Sequence, residues 1–378
     1  MTNPKVVFRA EVLTHYRESF HELVRAKLAE HGVDYILKVG RPRGAEAAKG
    51  DTIKLPWAAP MRSVGFGPRQ RLLWQSGLSD IRADLVIVGQ ENRIISNYPL
   101  QALRSILPTR VAFFGHGRNF QAEDTNSLAE RWKRFWLGKV DWWFAYTQQT
   151  KIHLIQQGFP ADRITVFENA VDTSQLVKQR DAVSPERLLR LRSELGIAGQ
   201  NVGIFVGGLY GEKRLGFLIE AARAIKERLP DFHLLIVGGG PELESLKAQV
   251  KDLHWVHVTG PRFGAEKVMF MKLARVFLMP GLVGLAILDA AALGLPTLTT
   301  AYPFHSPEVA YLENRVNGLM VDDWENPSAY ADQVVGLLGD EETLSRMRAQ
   351  ATKLAQHYTI ENMAERFAQG VLKALSAG

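Results

Sequence analysis

Between Pro280 and Pro296 the sequence reads PGLVGLAILDAAALGLP. An apolar run, Val276 to Met279, leads into it, and Gly281 and Gly284 open a turn. Helix-compatible residues follow from Leu285 to Leu293, stopped by Gly294 and Pro296. Strand, glycine turn and helix start together make an anion site. Backbone N–H groups of Gly284, Leu285 and Ala286 would face out of the helix N-terminus, where the dipole favours a phosphate by roughly 0.3–2 kcal/mol. Asp289, one turn further in, is the only charged residue of the stretch. A carboxylate there suits ribose hydroxyls better than the phosphate it would repel. A buried strand–helix unit with ordinary loop glycines would read the same way.

Two other loops belong to the same half of the chain. GGLYGEKR, residues 207–214, follows a strand at 202–206 and carries Gly207, Gly208, Lys213 and Arg214. A lysine at a strand's carboxyl end can neutralise a diphosphate, at roughly 1.5–3 kcal/mol for a charge-assisted bond. As a mere surface cation it would be badly placed, because helix N-termini disfavour positive charge. VTGPR, with Gly260, offers backbone groups to a base edge or forms a simple turn. In the first half, His116 stands between Gly115 and Gly117, ahead of Arg118, at the end of an apolar run over 109–115. Open α/β sheets bind ligands beyond the carboxyl ends of their strands. His116 is therefore a candidate functional histidine, with a structural loop histidine as the alternative. The triple glycine 238–240 lacks the spacing of a dinucleotide fingerprint.

The elements that must position these residues alternate strand and helix. Apolar runs at 5–9, 33–39, 84–89 and 109–115, with a helix over 16–30, make a first parallel sheet covered on both faces. Residues 40–75, rich in Gly, Pro and Arg, form the least regular region. VDWWFAY continues as another strand, and RITVFENAVD spans 163–172. After it the chain turns polar and strandless, then begins a second βαβ series at 202–206. The fold class is α/β, with two Rossmann-like doubly wound domains facing each other across a cleft. The expected boundaries are 1–175 and 176–357, with a terminal helix over 358–378 packing back on the first domain.

Composition narrows the function. At 378 residues and 46% hydrophobic the chain can bury two cores. Zero cysteines exclude disulfides, thiol nucleophiles and thiolate zinc. No run reaches the roughly 20 apolar residues of a membrane span, and MTNPKVVFRAEV enters a strand without a signal-peptide core. A cytoplasmic protein is expected. The net charge of +6 is uneven: residues 1–170 carry 24 Lys and Arg against 16 Asp and Glu. Lys38 to Arg71 is densest, opposed only by Glu46 and Asp51. Such a face serves an anionic membrane or a phosphorylated substrate, or is simply solvated; no nucleic-acid motif accompanies it. Trp132 to Lys139 mixes bases and aromatics as membrane-surface helices do, over a short length.

In its second half the sequence resembles glycosyltransferase family 4, the retaining enzymes of GT-B fold. The resemblance is carried by IFVGGLYGEKRLGFLIEAA, LLIVGGGPELESL, GLVGLAILDAAALGLPTL, Pro307–Glu308, VNGLMVDD and YTIENMAERF, in order and spacing over most of 200–365. FENAVD and HYRESFHELVRAKLAEHGV extend it weakly into the first half. The resemblance implies that Lys213 meets the donor diphosphate and that Asp289, at the second acidic position of E-x7-E, holds the ribose. It further implies that Gly284, Leu285 and Ala286 offer amides to phosphate and that His116 serves the sugar and reacting centre. Two positions depart from the family. The first glutamate of E-x7-E falls on Gly281, and the arginine five residues before the lysine falls on Gly208. A donor sugar lacking hydroxyls there, such as a deoxy sugar, is expected. Arg214 is expected to supply the missing cation, and the leaving-group charge is expected to be met by Lys213, Arg214 or Arg118 and the helix end. No Asp-x-Asp pair is present to hold a divalent ion, so neither metal nor cofactor is expected.

These implications add up to a nucleotide-sugar-dependent transferase, retaining the anomeric configuration, acting on a saccharide or lipid-linked acceptor in surface polysaccharide or lipopolysaccharide assembly. A peripheral contact with anionic membrane through the basic first domain, at the inner face of the cell membrane, accompanies it; nucleic acid does not. The losses at Gly281 and Gly208 leave a non-catalytic nucleotide-sugar-binding homologue as the alternative.

Overall fold

The computed structural model describes residues 2–43, 52–67, 71–117 and 128–377. The chain divides into two compact units, residues 1–172 with 360–378, and residues 173–359.

The first unit is built on a seven-stranded sheet. Its strand order is Ala59–Pro60, Asp34–Val39, Lys5–Ala10, Leu85–Gly89, Arg110–Gly115, Trp142–Ala145 and Ile164–Val166. Every neighbouring pair is parallel. Val86, Val111, Trp143 and Phe144 are fully buried, as expected of strands covered on both faces. The helix Glu18–Glu30 buries Phe20, His21, Val24 and Leu28 at the three-and-four spacing of a helical stripe. The terminal helix Ile360–Ser376 lies in the same unit, and its Phe367 ring sits 4.4 Å from Phe144 and 5.2 Å from Phe20. Fully burying a side chain of this size stabilises by about 1.5–3 kcal/mol.

The second unit carries a six-stranded parallel sheet. Its order is Val256–Gly260, His233–Val237, Val202–Val206, Val276–Leu278, Thr297–Thr300 and Gly318–Val321. The chain starts in the middle at Val202–Val206, builds outward to one side, then crosses back to Val276–Leu278 and builds the other way. The point where strand order reverses lies between those two strands, and the loops leaving their carboxyl ends, 207–214 and 279–285, flank it. Gly203 lets the two strands' side chains interlock, since a Cβ there would meet Leu278 Cδ1 at 2.5 Å.

One expectation needs correction. The region read as irregular over 40–75 contains strand: Ala59–Pro60 joins the sheet edge, and Ser63–Phe66 pairs antiparallel with Leu72–Gln75. As expected, the polar stretch after 172 holds no strand; it forms the helices Ser174–Ala182 and Pro185–Glu194, the latter capped by Ser184 and started on Pro185. Within RITVFENAVD the last strand of the first sheet is Ile164–Val166. Among the described residues no helix is long and apolar enough to cross a membrane.

Candidate functional site

The switch point of the second unit brings the two predicted loops together. Leu282 N–H donates to Glu212 O at 2.8 Å, and Lys213 Nζ donates to Leu282 O at 2.5 Å. Lys213 is buried, at 5% exposure, and its ammonium lies 5.4 Å from the centre of the Tyr210 ring. Burial lowers its pKa to about 8, against a smaller opposing pull from Glu212. An ammonium has three donors. With one spent on Leu282 O, the others are available to an anion, which would also relieve the desolvation that lowers the pKa.

Gly281 has a steric reason to be glycine. A Cβ there would lie 2.3 Å from Glu212 O and 2.6 Å from Lys213 C, both backbone atoms. The two loops therefore touch backbone to backbone, and no side chain, glutamate included, fits at 281 without moving 212–213. Gly284 is different: its Cβ would meet only Ser306 Oγ, at 3.7 Å.

The turn is fixed from behind by residues that sequence reasoning missed. Thr299 Oγ1 donates to Met279 O at 2.7 Å, and Thr300 Oγ1 donates to Pro280 O at 2.8 Å. Val283 N–H donates to His305 Nδ1 at 3.0 Å, while His305 Nε2 lies 2.8 Å from Thr300 O. Those two bonds define the tautomer, since Nδ1 accepts and Nε2 therefore carries the proton. Burial is the main cause that holds the His305 pKa below its ordinary value, and the nearby Lys213 charge pushes the same way. Ser306 N–H closes the frame on Val283 O at 3.0 Å. No motif signals this role for His305, because it depends on a neighbouring strand bringing the ring under the turn.

The helix after the turn is Ala286–Ala292, with Leu285 at its N-cap. Ile287 N–H bonds Gly284 O at 3.2 Å, and among the described residues no backbone carbonyl accepts from Gly284, Leu285 or Ala286. Asp289 projects from the first turn, a quarter exposed, and pairs with Lys267 Nζ at 3.0 Å. Lys267, on Gly264–Leu273, was not anticipated.

The remaining predicted residues fall into three groups. Arg214 turns its guanidinium into aromatic rings, 4.3 Å from Phe217, 4.8 Å from Trp324 and 5.5 Å from Tyr302, and donates to Trp324 O at 2.6 Å. Its backbone is left-handed, at φ 56°. Gly207 and Gly208 run beside the triple glycine: Leu209 N–H donates to Gly239 O at 2.9 Å, and a Cβ at Gly238 would meet Gly207 O at 1.9 Å. Those glycines let two loops pass in contact, which explains them without a dinucleotide. Gly260 lies at the end of the outermost strand of that flank, where its carbonyl accepts from Gly238 N–H at 3.0 Å. In the first unit, His116 packs edge-on against Tyr146, ring centres 4.0 Å apart, and Gly117 O accepts from Gln90 Nε2 at 3.1 Å. Arg118 lies outside the described residues. Among the described residues no three His, Asp or Glu side chains converge as a metal site requires.

Comparison with known proteins covers both units. Residues 19–175 match Glycosyltransferase Family 4, and residues 200–340 match Glycosyl transferases group 1. The chain is 31% identical over 173 residues to spore coat protein SA of Bacillus subtilis, covering 42% of this chain and 44% of that protein. It is 31% identical over 178 residues to D-inositol 3-phosphate glycosyltransferase of Corynebacterium urealyticum, covering 44% and 41%. The matched stretches thus span less than half the length of these curated relatives. Anabaena Alr3699/HepE in complex with UDP-glucose superposes with a TM-score of 0.66 at 16% identity, over 97% of this chain and 99% of that one.

Proposed function

We propose, for a chain that belongs to the glycosyltransferases of family 4 and GT-B fold, that it transfers a glycosyl group from a nucleotide-sugar donor to a glycan or glycolipid acceptor. The observation that carries this reading is the joining of Lys213 to the 280–286 turn at the switch point of the second sheet. The donor diphosphate lies against Lys213 Nζ and the amides of Gly284, Leu285 and Ala286, and Asp289 takes the ribose hydroxyls. The acceptor oxygen forms its bond to the anomeric carbon as the bond to the diphosphate oxygen breaks. The electron pair leaves with the diphosphate, and the acceptor's proton follows it. Attack from the departing side retains configuration, with the leaving charge met by Lys213 rather than by a divalent ion. His116 serves the reacting sugar. Gly281, with no carboxylate at that position, favours a sugar with fewer hydroxyls to satisfy. The work belongs to surface polysaccharide or lipopolysaccharide assembly, inside the cell.

A mass-tagged sugar supplied as UDP, GDP and dTDP conjugates should pass to a lipid-linked saccharide in the presence of EDTA, with the product anomer read by NMR. Lys213→Ala should reduce the transfer to background. Inability to use any of these donors would defeat the proposal. The same losses at Gly281 and Gly208 favour one other reading, a nucleotide-sugar-binding homologue without catalysis. That protein would bind donor yet neither transfer nor slowly hydrolyse it.

A further inference from the structure

The antiparallel pair Ser63–Phe66 and Leu72–Gln75 is built inside out. Val64 faces Trp74 across the pair and Phe66 faces Leu72, so these four side chains share one face. All four point to solvent, at 41%, 39%, 47% and 43% exposure. The opposite face, turned inward, holds Ser63 and Gln75, at 8% and 2%, with Leu73 at 5%. An ordinary half-buried sheet puts its apolar side chains in and its polar ones out. The reversal is not a loosely held flap. Leu73 N–H donates to Arg93 O at 2.7 Å, Ile95 N–H donates to Leu73 O at 2.9 Å, and Gln75 N–H donates to Ser96 Oγ at 3.2 Å. The pair is fastened to the first unit along its inner strand, with four large apolar groups standing outward.

The charge around this face selects its partner. Arg62 directly precedes one strand and Arg71 the other, and both are exposed. They sit in the 38–71 stretch whose bases outnumber its acids. Trp and Phe beside arginine match the interfacial layer of an anionic bilayer, where rings settle at headgroup depth and guanidinium groups meet phosphate. An uncharged protein groove would use the rings but not this edge of positive charge.

We propose that the face of Val64, Phe66, Leu72 and Trp74, edged by Arg62 and Arg71, docks the protein on an anionic lipid bilayer. The purpose of this contact rests on the glycolipid-acceptor reading above, but its measurement does not. Full-length protein is sedimented with vesicles of phosphatidylglycerol and phosphatidylcholine in equal parts, and with phosphatidylcholine alone. Wild type should bind the mixed vesicles, and Phe66→Ser/Trp74→Ser should weaken binding about tenfold or more. Arg62→Gln/Arg71→Gln should weaken it on the mixed vesicles only. Phe135→Ser, on the helix Leu128–Leu137 where Phe135 is 60% exposed, should bind as wild type does.

Because the chain has no cysteine, a second readout avoids the double variant altogether. Phe66→Cys labelled with an environment-sensitive dye should shift to the blue on mixed vesicles, while Leu189→Cys, in the other unit, should not. Wild type that stays in the supernatant overturns the proposal. So does undiminished binding of the hairpin variant, or loss on Phe135→Ser instead. A dimer that Phe66→Ser/Trp74→Ser dissolves, without vesicle binding, would give the face to a second copy of the chain. Sugar transfer to a soluble acceptor, assayed without vesicles, separates the two claims: its failure would count against the proposed activity alone.

Discussion

The two sheets end in differently made edges. In the second unit the backbone from Met279 to Val283 is tied by side chains and loops behind it: Thr299, Thr300, His305, Glu212 and Lys213. In the first unit the corresponding edge is made of rings. Phe114 stacks on Phe167 at 4.9 Å, Tyr146 packs on Phe114 and His116, and the Arg17 guanidinium lies 5.7 Å from Phe114 and 5.6 Å from Tyr146. Hydrogen bonds fix the position of a backbone, whereas ring packing presents faces and tolerates small shifts. A turn that offers N–H groups to a diphosphate needs the first kind of construction.

This contrast can be broken most severely at Lys213. Lys213→Ala should weaken nucleoside diphosphate binding by about 1.5–3 kcal/mol, roughly 10- to 150-fold, measured by calorimetry. Tyr146→Leu in the ring-built edge should leave that affinity within about twofold. His305→Ala comes next. It strands Val283 N–H and the Thr300 carbonyl, and unfolding by urea should show a loss of about 1–3 kcal/mol together with weaker diphosphate binding. Gly281→Ala should cost about 1–3 kcal/mol of stability, because the new methyl meets main chain rather than a movable side chain. Unchanged stability and binding in Gly281→Ala would show that the two loops are not locked together.

Two pH effects sharpen the contrast further. Lys213 titrates at about 8 in the free protein, and a diphosphate bound as proposed would raise that value. Binding above pH 8 must then take up a proton. Affinity should be level below about pH 8 and fall by up to about tenfold per pH unit above it. Lys213→Ala should lose this dependence. Histidines give the opposite slope in stability. His305 and His21 both have folded pKa values below the ordinary 6.5, His21 at about 3, chiefly through burial. Each stabilises fully above 6.5, where it is neutral in both states. As pH falls through 6.5 toward the lowered values, the unfolded chain takes up protons that the folded one refuses, and stability falls. Urea midpoints should therefore drop from pH 7 to pH 5. His305→Ala should drop less.

Where an element's own residues determine it, the sequence was legible. Val202–Val206 is read with its observed bounds, because an unbroken apolar run needs no distant partner to be recognised. The Lys213 loop and the 280–286 turn were both found, as the carboxyl ends of two strands. That they touch was not legible, since it depends on strand order in the sheet. His305 was missed for the same reason, and so was the Lys267 partner of Asp289. The hairpin at 63–75 was read as irregular because its alternation is short, broken by Gly and Arg, and pointed the wrong way for a core. Arg214 was expected beside the donor as a substitute cation. The aromatic rings that hold its guanidinium come from residues 217, 302 and 324, which no local pattern links.

Calorimetric titration of wild type and Lys213→Ala with UDP, GDP and dTDP at pH 7 tests the central claim most directly. One of these nucleotides should bind wild type and bind Lys213→Ala at least about tenfold more weakly. Binding that is indifferent to Lys213, or no binding of any of the three, would contradict a diphosphate site at the switch point of the second sheet.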